Sequence, residues 1–224
     1  MARDLSKGNL SGDRTCHLDP DIDRDALTVR PEGWRGALGQ VSSSLSHLRN
    51  QSVKAGDLFL FWGLYRPVEN ADGCWRYIGP RQHAAFGWLM IDAVHDVVDD
   101  GSQLRFAHPW LKDHPHVRPD WMPPNAVYVA AESFELDGRS FPGSGVFTQA
   151  FRLTALDSPL PSHWSVPEWL DPTKGGVGMS YHAGPRWLGN GLLRTAARGQ
   201  EFVADISDRV DARKWIADIL EANI

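Results

Sequence analysis

The sequence predicts an α+β fold: a single domain around a curved, mostly antiparallel, barrel-like sheet with flanking helices. Three observations predict it. Apolar runs bounded by turn residues fill the middle of the chain. Helix-period stripes lie near its two ends. No internal repeat, low-complexity tract or linker divides the 224 residues, a length that one core can serve.

Residues 1–30 are polar and charged and read as an extended approach containing "HLDPDIDRD". In "WRGALGQVSSSLSHLRN" the residues Trp34, Leu38, Val41, Leu45 and Leu48 recur at helical spacing, which predicts a helix with one apolar stripe. "GDLFLFWGLY" is an aromatic run between Gly-Asp and Gly and predicts a buried strand. "NADGCW" is a loop or hairpin tip, and "HAAFGWLMIDAVHDV" predicts the neighbouring strand, with Gly87 allowing a bulge or a close backbone approach. "LRFA" reads as a short strand. "NAVYVAAESFEL" and "GVFTQAFRLTA" are two more strands, separated by the loop "DGRSFPGSG". "PLPSHWSVPEWLDP" reads as an ordered loop with one helical turn. "SDRVDARKWIADILEANI" predicts the clearest helix, with Ser207 as N-cap and Ala212, Trp215, Ile216, Ile219 and Leu220 on its apolar face.

Composition excludes several classes. A formal net charge of −5 gives no bulk attraction to nucleic acid or to an anionic membrane. Cys16 and Cys74 form no CxxC, which excludes a zinc ribbon and argues against a disulfide framework. Free thiols, with no apolar leader in "MARDLSKGNLSGDR" and no run of 18 apolar residues, predict a cytoplasmic protein with no membrane partner. The ten tryptophans suit either a core or an aromatic-lined pocket.

Three stretches carry candidate chemistry. "HPWLKDHPHV" holds His108, His114 and His116 between stiffening prolines. His114 and His116 have a two-residue spacing that a metal accepts, with His17 and Asp19 able to join from a distance, but nothing else completes a ligand set, so no metal is expected. A substrate-contacting loop, acid/base catalysis and a purely structural corner remain open readings. "SYHAGPRW" brings Ser180, His182 and Arg186 together; on a strand Ser180 and His182 would point the same way, as a nucleophile and its base must. A packed turn is the alternative. "ARGQEFV" offers Arg198, Gln200 and Glu201 for a base or phosphate, or for a salt-bridged turn. No phosphate-cradling glycine motif occurs, and no cofactor is expected.

In order along the chain stand "HLDPDI" (17–22), "GALGQ" (36–40), "HLRNQSVKAGDLFLFWG" (47–63), "AAFGWLMI" (84–91), "HPHV" (114–117), "NAVYVA" (125–130), "GSGVF" (143–147), "RLT" (152–154), "SYHAGPRW" (180–187) and "RGQEFV" (198–203). Together they resemble the third family of nucleotide-modification-associated domains, over residues 15–222. That resemblance implies a bacterial or phage protein associated with hypermodification of DNA bases. Members of that family begin with a hydrophobic strand and a glycine-rich segment, where this chain has residues 1–14 instead. The expectation is a divergent or truncated segment 1–14 followed by the domain at 15–224, inactive if the missing segment supplies catalytic groups. More loosely, "VKAGDLFLFWG" with "HAAFGWLMIDAV" resembles the central strand pair of PUA-like and EVE-type domains, small curved barrels that hold a nucleobase against aromatics.

The expected function is recognition of a nucleotide, modified base or DNA in a base-hypermodification pathway. Trp62, Trp88 and Tyr65 would wall the pocket, with His17, Asp19, Ser180, Arg186, Arg198, Gln200 and Glu201 as polar contacts. The alternative is an enzyme of that pathway using His114, His116 and His182 for acid/base transfer. A protein-interaction scaffold is the third reading. The oligomeric state is left open by the sequence.

Overall fold

Fifteen residues of continuous strand, Gln82–Asp96, run through the centre of the computed structural model, which describes residues 1–13, 16–27, 29–119, 123–196 and 201–224. In chain order the strands are β1 (Ala37–Val41), β2 (Leu58–Tyr65), β3 (Val68–Ala71), β4 (Cys74–Tyr77), β5 (Gln82–Asp96), β6 (Asn125–Ala130), β7 (Ser133–Leu136), β8 (Arg139–Pro142), β9 (Ser144–Arg152), β10 (His163–Ser165), β11 (Trp187–Gly189) and β12 (Leu192–Arg194). The α-helices are α1 (Ala2–Leu5), α2 (Ser42–Asn50), α3 (Ser102–Ala107) and α4 (Val210–Asn223).

The first part of β5 pairs with β2 on one edge and β9 on the other; its second part pairs with β6, which pairs with β1. Every pairing is antiparallel, and the five strands curl into a half-barrel. The packing shows which side is inside. On one face a single cluster joins Leu38, Leu89, Ile91, Ala126 and Tyr128 with Leu45 and Leu48 of α2. On the other face the side chains diverge into two clusters. One places Trp88 and Phe147 under Ile216, Ala217 and Leu220 of α4. The second joins Ala37, Val127 and Val129 to Leu104, Leu111 and Val117. Strand β6 is buried on both faces, which explains its unbroken apolar run.

Gly87 performs both expected roles. The pairing slips between Phe61 and Trp62 opposite Gly87 and Ala85, so Phe86 is the extra residue of a bulge. A Cβ on Gly87 would lie 2.5 Å from the Gly145 carbonyl oxygen. Leu58, Leu60 and Phe86 are half-buried in these adjacent strands and Leu89 is fully buried. Two of the three Asp-Gly steps, Asp72-Gly73 and Asp137-Gly138, take positive φ at both residues and close the hairpins β3–β4 and β7–β8.

Several elements differ from expectation. The predicted helix over 34–50 is strand β1 followed by α2. Leu38 on the strand and Leu45 and Leu48 on the helix enter one core, so both periods fit the same residues. "LRFA" lies in α3, begun by left-handed Gly101 and by the Asp100 carboxylate accepting from the Ser102 amide; four apolar-leaning residues do not separate the two periods. "NAVYVAAESFEL" divides into β6 and β7, and the loop after it supplies β8. The tryptophan-rich loop contains β10, which with β12 and β11 makes a small sheet over Trp164, Trp169, Trp187 and Leu193. Helix α4 starts at Val210; Ser207 is turned to Asp205 at 2.6 Å and does not cap it. Cys16 and Cys74 are free and exposed, and no described helix is long and apolar enough to cross a membrane.

Candidate functional site

The candidate residues fall into two groups of contacts. The first joins "HLDPDI" to "HPHV" on the convex side of β1 and β6. Pro115 opens a single helical turn whose residues Pro115–Val117 are buried. This turn presses the His116 ring against β1, where a Cβ on Gly39 would lie 2.1 Å from the ring. Asp19 reaches the same place: one carboxylate oxygen accepts from the Gly39 amide at 2.9 Å and the other stands 3.0 Å from His116 Nε2. Asn125, on β6, places its Oδ1 2.9 Å from His116 Nδ1 and donates to the His116 carbonyl at 2.8 Å. With an oxygen acceptor at each ring nitrogen, His116 is built to be an imidazolium. Burial pulls its pKa down, but the hydrogen bonds to Asp19 and Asn125 and the Asp19 charge outweigh this, and the net shift is upward.

His114 behaves oppositely. Its Nδ1 accepts from the His116 amide at 3.3 Å, which puts the proton of the neutral ring on Nε2. That Nε2 is buried without a hydrogen bond; the nearest carboxylate oxygen, on Asp19, is 3.9 Å away. Burial lowers the His114 pKa more than Asp19 raises it, and His116 lowers it further. Two adjacent imidazoles thus share one carboxylate and are pushed apart in pKa, an arrangement suited to moving a proton. Among the described residues no three His, Cys, Asp or Glu side chains gather closely enough to hold a metal ion.

The second group borders the concave core. His47, on α2, places Nε2 3.0 Å from Ser180 Oγ, which also accepts from the Val203 amide at 2.8 Å. The Ser180 partner is therefore His47, not His182. Residues 180–182 form a turn, the alternative to the strand that a Ser180–His182 pair would need, with Tyr181 at φ 64° and its ring stacked on His47 at 4.1 Å. His182 is buried and fully engaged: Nδ1 donates to the Ser180 carbonyl at 2.8 Å and Nε2 accepts from Thr195 at 3.1 Å. Burial, and less so Arg186, lower its pKa. Arg186 itself caps the Arg194 carbonyl at 3.3 Å. Trp62 is half-buried, stacked on Phe202 at 5.8 Å and edge-on to Trp164.

On the concave face of β2 and β5 a row of rings runs from half-buried Phe59, Phe61 and Phe86 to exposed Tyr65, with neighbouring centroids 6.0–6.3 Å apart. Phe61 and Phe86 pack on the same core as Val203, the residue that binds Ser180. Burial raises the Tyr65 pKa, so its phenol stays a donor. His17 is exposed, Glu201 is half-buried, and Arg198 and Gln200 lie outside the described residues.

A family model described as nucleotide modification associated domain 3 matches residues 1–205. The chain belongs to this family. The match takes in every quoted motif from "HLDPDI" to "RGQEFV", as well as residues 1–14, and stops before α4. No curated protein and no solved structure matches the chain. For a nucleotide modification associated domain 3 protein, the residues that sequence reasoning missed are instructive. Asn125, His47, Thr195 and the buried His83 stand outside the candidate stretches, on β6, on α2, just past β12 and on β5. Only the aromatic row had a sequence signal, in "LFLFWGLY".

Proposed function

We propose that this domain recognises a nucleotide or modified base in a DNA base-hypermodification pathway, with the base lying against the concave aromatic row. Half-buried Phe61 and Phe86 with exposed Tyr65, linked to Ser180 through Val203 in the same core, carry this reading. Every base has a π-face, so such a row binds by stacking, and imidazole, hydroxyl and phenol groups then read an edge. Arg198, Gln200 and Glu201 precede Phe202 and Val203 in sequence and would supply further polar contacts. Arg186 supports the neighbouring loop through the Arg194 carbonyl, whereas Asp19 belongs to the His116 contact on the other side of the sheet. Family membership supports a role in nucleotide modification. Tryptophan abundance lends nothing to a scaffold role, because Trp88, Trp164, Trp169 and Trp187 are buried in cores.

A second reading is an enzyme of the same pathway. The unequal imidazoles of His114 and His116 on Asp19 favour it. His182, with both nitrogens engaged, would then position Ser180 and Thr195 rather than exchange protons.

The test is mass analysis of nucleosides from the DNA of the native host with the gene present and deleted. A changed nucleoside supports the pathway role; identical profiles refute it. If a nucleoside changes, His116→Ala separates the two readings, since the enzyme would lose turnover while retaining binding.

A further inference from the structure

Every hydrogen-bonding group of Ser180 is engaged. Its amide donates to the Val203 carbonyl at 2.8 Å, and its own carbonyl accepts from His182 Nδ1 at 2.8 Å. Its Oγ accepts from the Val203 amide at 2.8 Å and stands 3.0 Å from His47 Nε2. An amide only donates, so His47 Nε2 is the one acceptor among the described residues for the hydroxyl proton. A serine braced on all sides, with its proton aimed at an imidazole, has the arrangement of a nucleophile and its general base.

Three further features suit that role. Tyr181, the next residue, takes φ 64°, a left-handed conformation that a bulky side chain adopts only under constraint. A strained turn at the nucleophile exposes the serine of α/β-hydrolases, and the amide that follows it donates to the oxyanion. Here the Tyr181 amide donates to no described residue. The Tyr181 ring stacks on His47 at 4.1 Å and so fixes the plane of the base. The pair is also reachable, since Ser180 is half-buried and Tyr181 is 54% exposed. The cations flanking these residues in sequence are engaged: Arg49 with Asp96, Lys174 with Glu168 and Arg186 with the Arg194 carbonyl. An amide and an imidazole without a cation suit the carbonyl of an acyl group rather than a phosphoryl group.

We propose that Ser180 and His47 form a catalytic dyad that hydrolyses a carboxylic ester. Ser180 Oγ adds to the ester carbonyl carbon and gives its proton to His47 Nε2. The bond from that carbon to the alkoxy oxygen breaks, and the proton leaves with the alcohol. Water then cleaves the acyl-serine: its proton passes through His47 back to Ser180 Oγ, and the carboxylic acid is released. The Tyr181 amide donates to the carbonyl oxygen while it carries charge. The Tyr181 ring positions the base, and His182 positions the serine backbone. This activity stands apart from the base-recognition reading, because it needs no base on the aromatic row.

The experiment treats the full chain with a fluorophosphonate and locates the adduct by intact-mass and peptide-mass analysis. p-Nitrophenyl butyrate and p-nitrophenyl phosphate serve as substrates. One adduct on Ser180 is expected in the folded protein and none after heat denaturation. Ser180→Ala should lose both the adduct and butyrate hydrolysis. His47→Gln should slow labelling by about 100-fold or more. Tyr181→Gly keeps the turn and the amide but loses the ring, and should slow labelling by about tenfold. Absence of an adduct on Ser180 overturns the proposal. So does labelling at the wild-type rate in folded His47→Gln, or in Tyr181→Gly should His47→Gln not fold. Hydrolysis of the phosphate in preference to the butyrate overturns the acyl substrate class.

Discussion

Asp19 and His116 meet at 3.0 Å, and each is fixed from behind: Asp19 by the Gly39 amide, His116 by Asn125. This contact ties the N-terminal "HLDP" segment to the proline-bounded turn across the face of β1.

Its pH dependence has a definite sign. The folded-state pKa of His116 is raised above the ordinary 6.5, so its contribution to stability is complete below that value and is lost as pH rises through the folded pKa. His114, lowered from 6.5, contributes the reverse: its stability is present above 6.5 and is lost as pH falls through its folded pKa. Asp19→Asn should therefore lower the melting temperature most near about pH 6, with the deficit shrinking towards about pH 8. A deficit independent of pH, in thermal unfolding followed by circular dichroism, would rule out a charged pair.

Gly39 admits no side chain. Gly39→Ala sets a methyl 2.1 Å from a buried ring that Asp19 and Asn125 hold in place. The expected cost is about 2–3 kcal/mol or more in urea unfolding. Gly12→Ala, with nothing within 4 Å, is the control and should be near neutral.

Phe86→Ala and Tyr65→Ala probe the aromatic row. Removing one stacking ring should weaken binding of single-stranded DNA or of a nucleotide by about tenfold, measured by fluorescence anisotropy. Wild-type affinity in both variants would remove the base from this face.

The His47–Ser180 contact is open to a double-mutant cycle. His47→Ala and Ser180→Ala should be coupled by about 1 kcal/mol, because each deletes the same 3.0 Å bond. Ser180→Ala also removes the acceptor for the Val203 amide, so it should be the more damaging of the two. Strict additivity would mean that the pair does not bond in solution.

What the sequence revealed follows from the reach of its signals. The runs 58–65 and 82–96 have the length and flanking turns of strands, and both are strands. Segment 34–50 misleads because a seven-residue separation of Leu38 and Leu45 suits a helix, while the packing of Gly39 on His116 is a tertiary fact with no local sign. The same limit governs the site. Asp19, His114 and His116 stand in dense polar motifs and do come together. Ser180 draws its partner from α2, 133 residues away, and no spacing rule reaches that far.

Helix α4 is the last element of the sheet's packing to be synthesised, yet Ile216, Ala217, Ile219 and Leu220 are what cover Trp88, Phe147 and their neighbours. While the chain leaves the ribosome, the convex side of β5 and β9 must therefore wait uncovered until residues 210–223 have followed. Chains stalled before α4 would present that apolar surface to chaperones and to one another, so this late-emerging helix governs whether a nascent chain matures or aggregates.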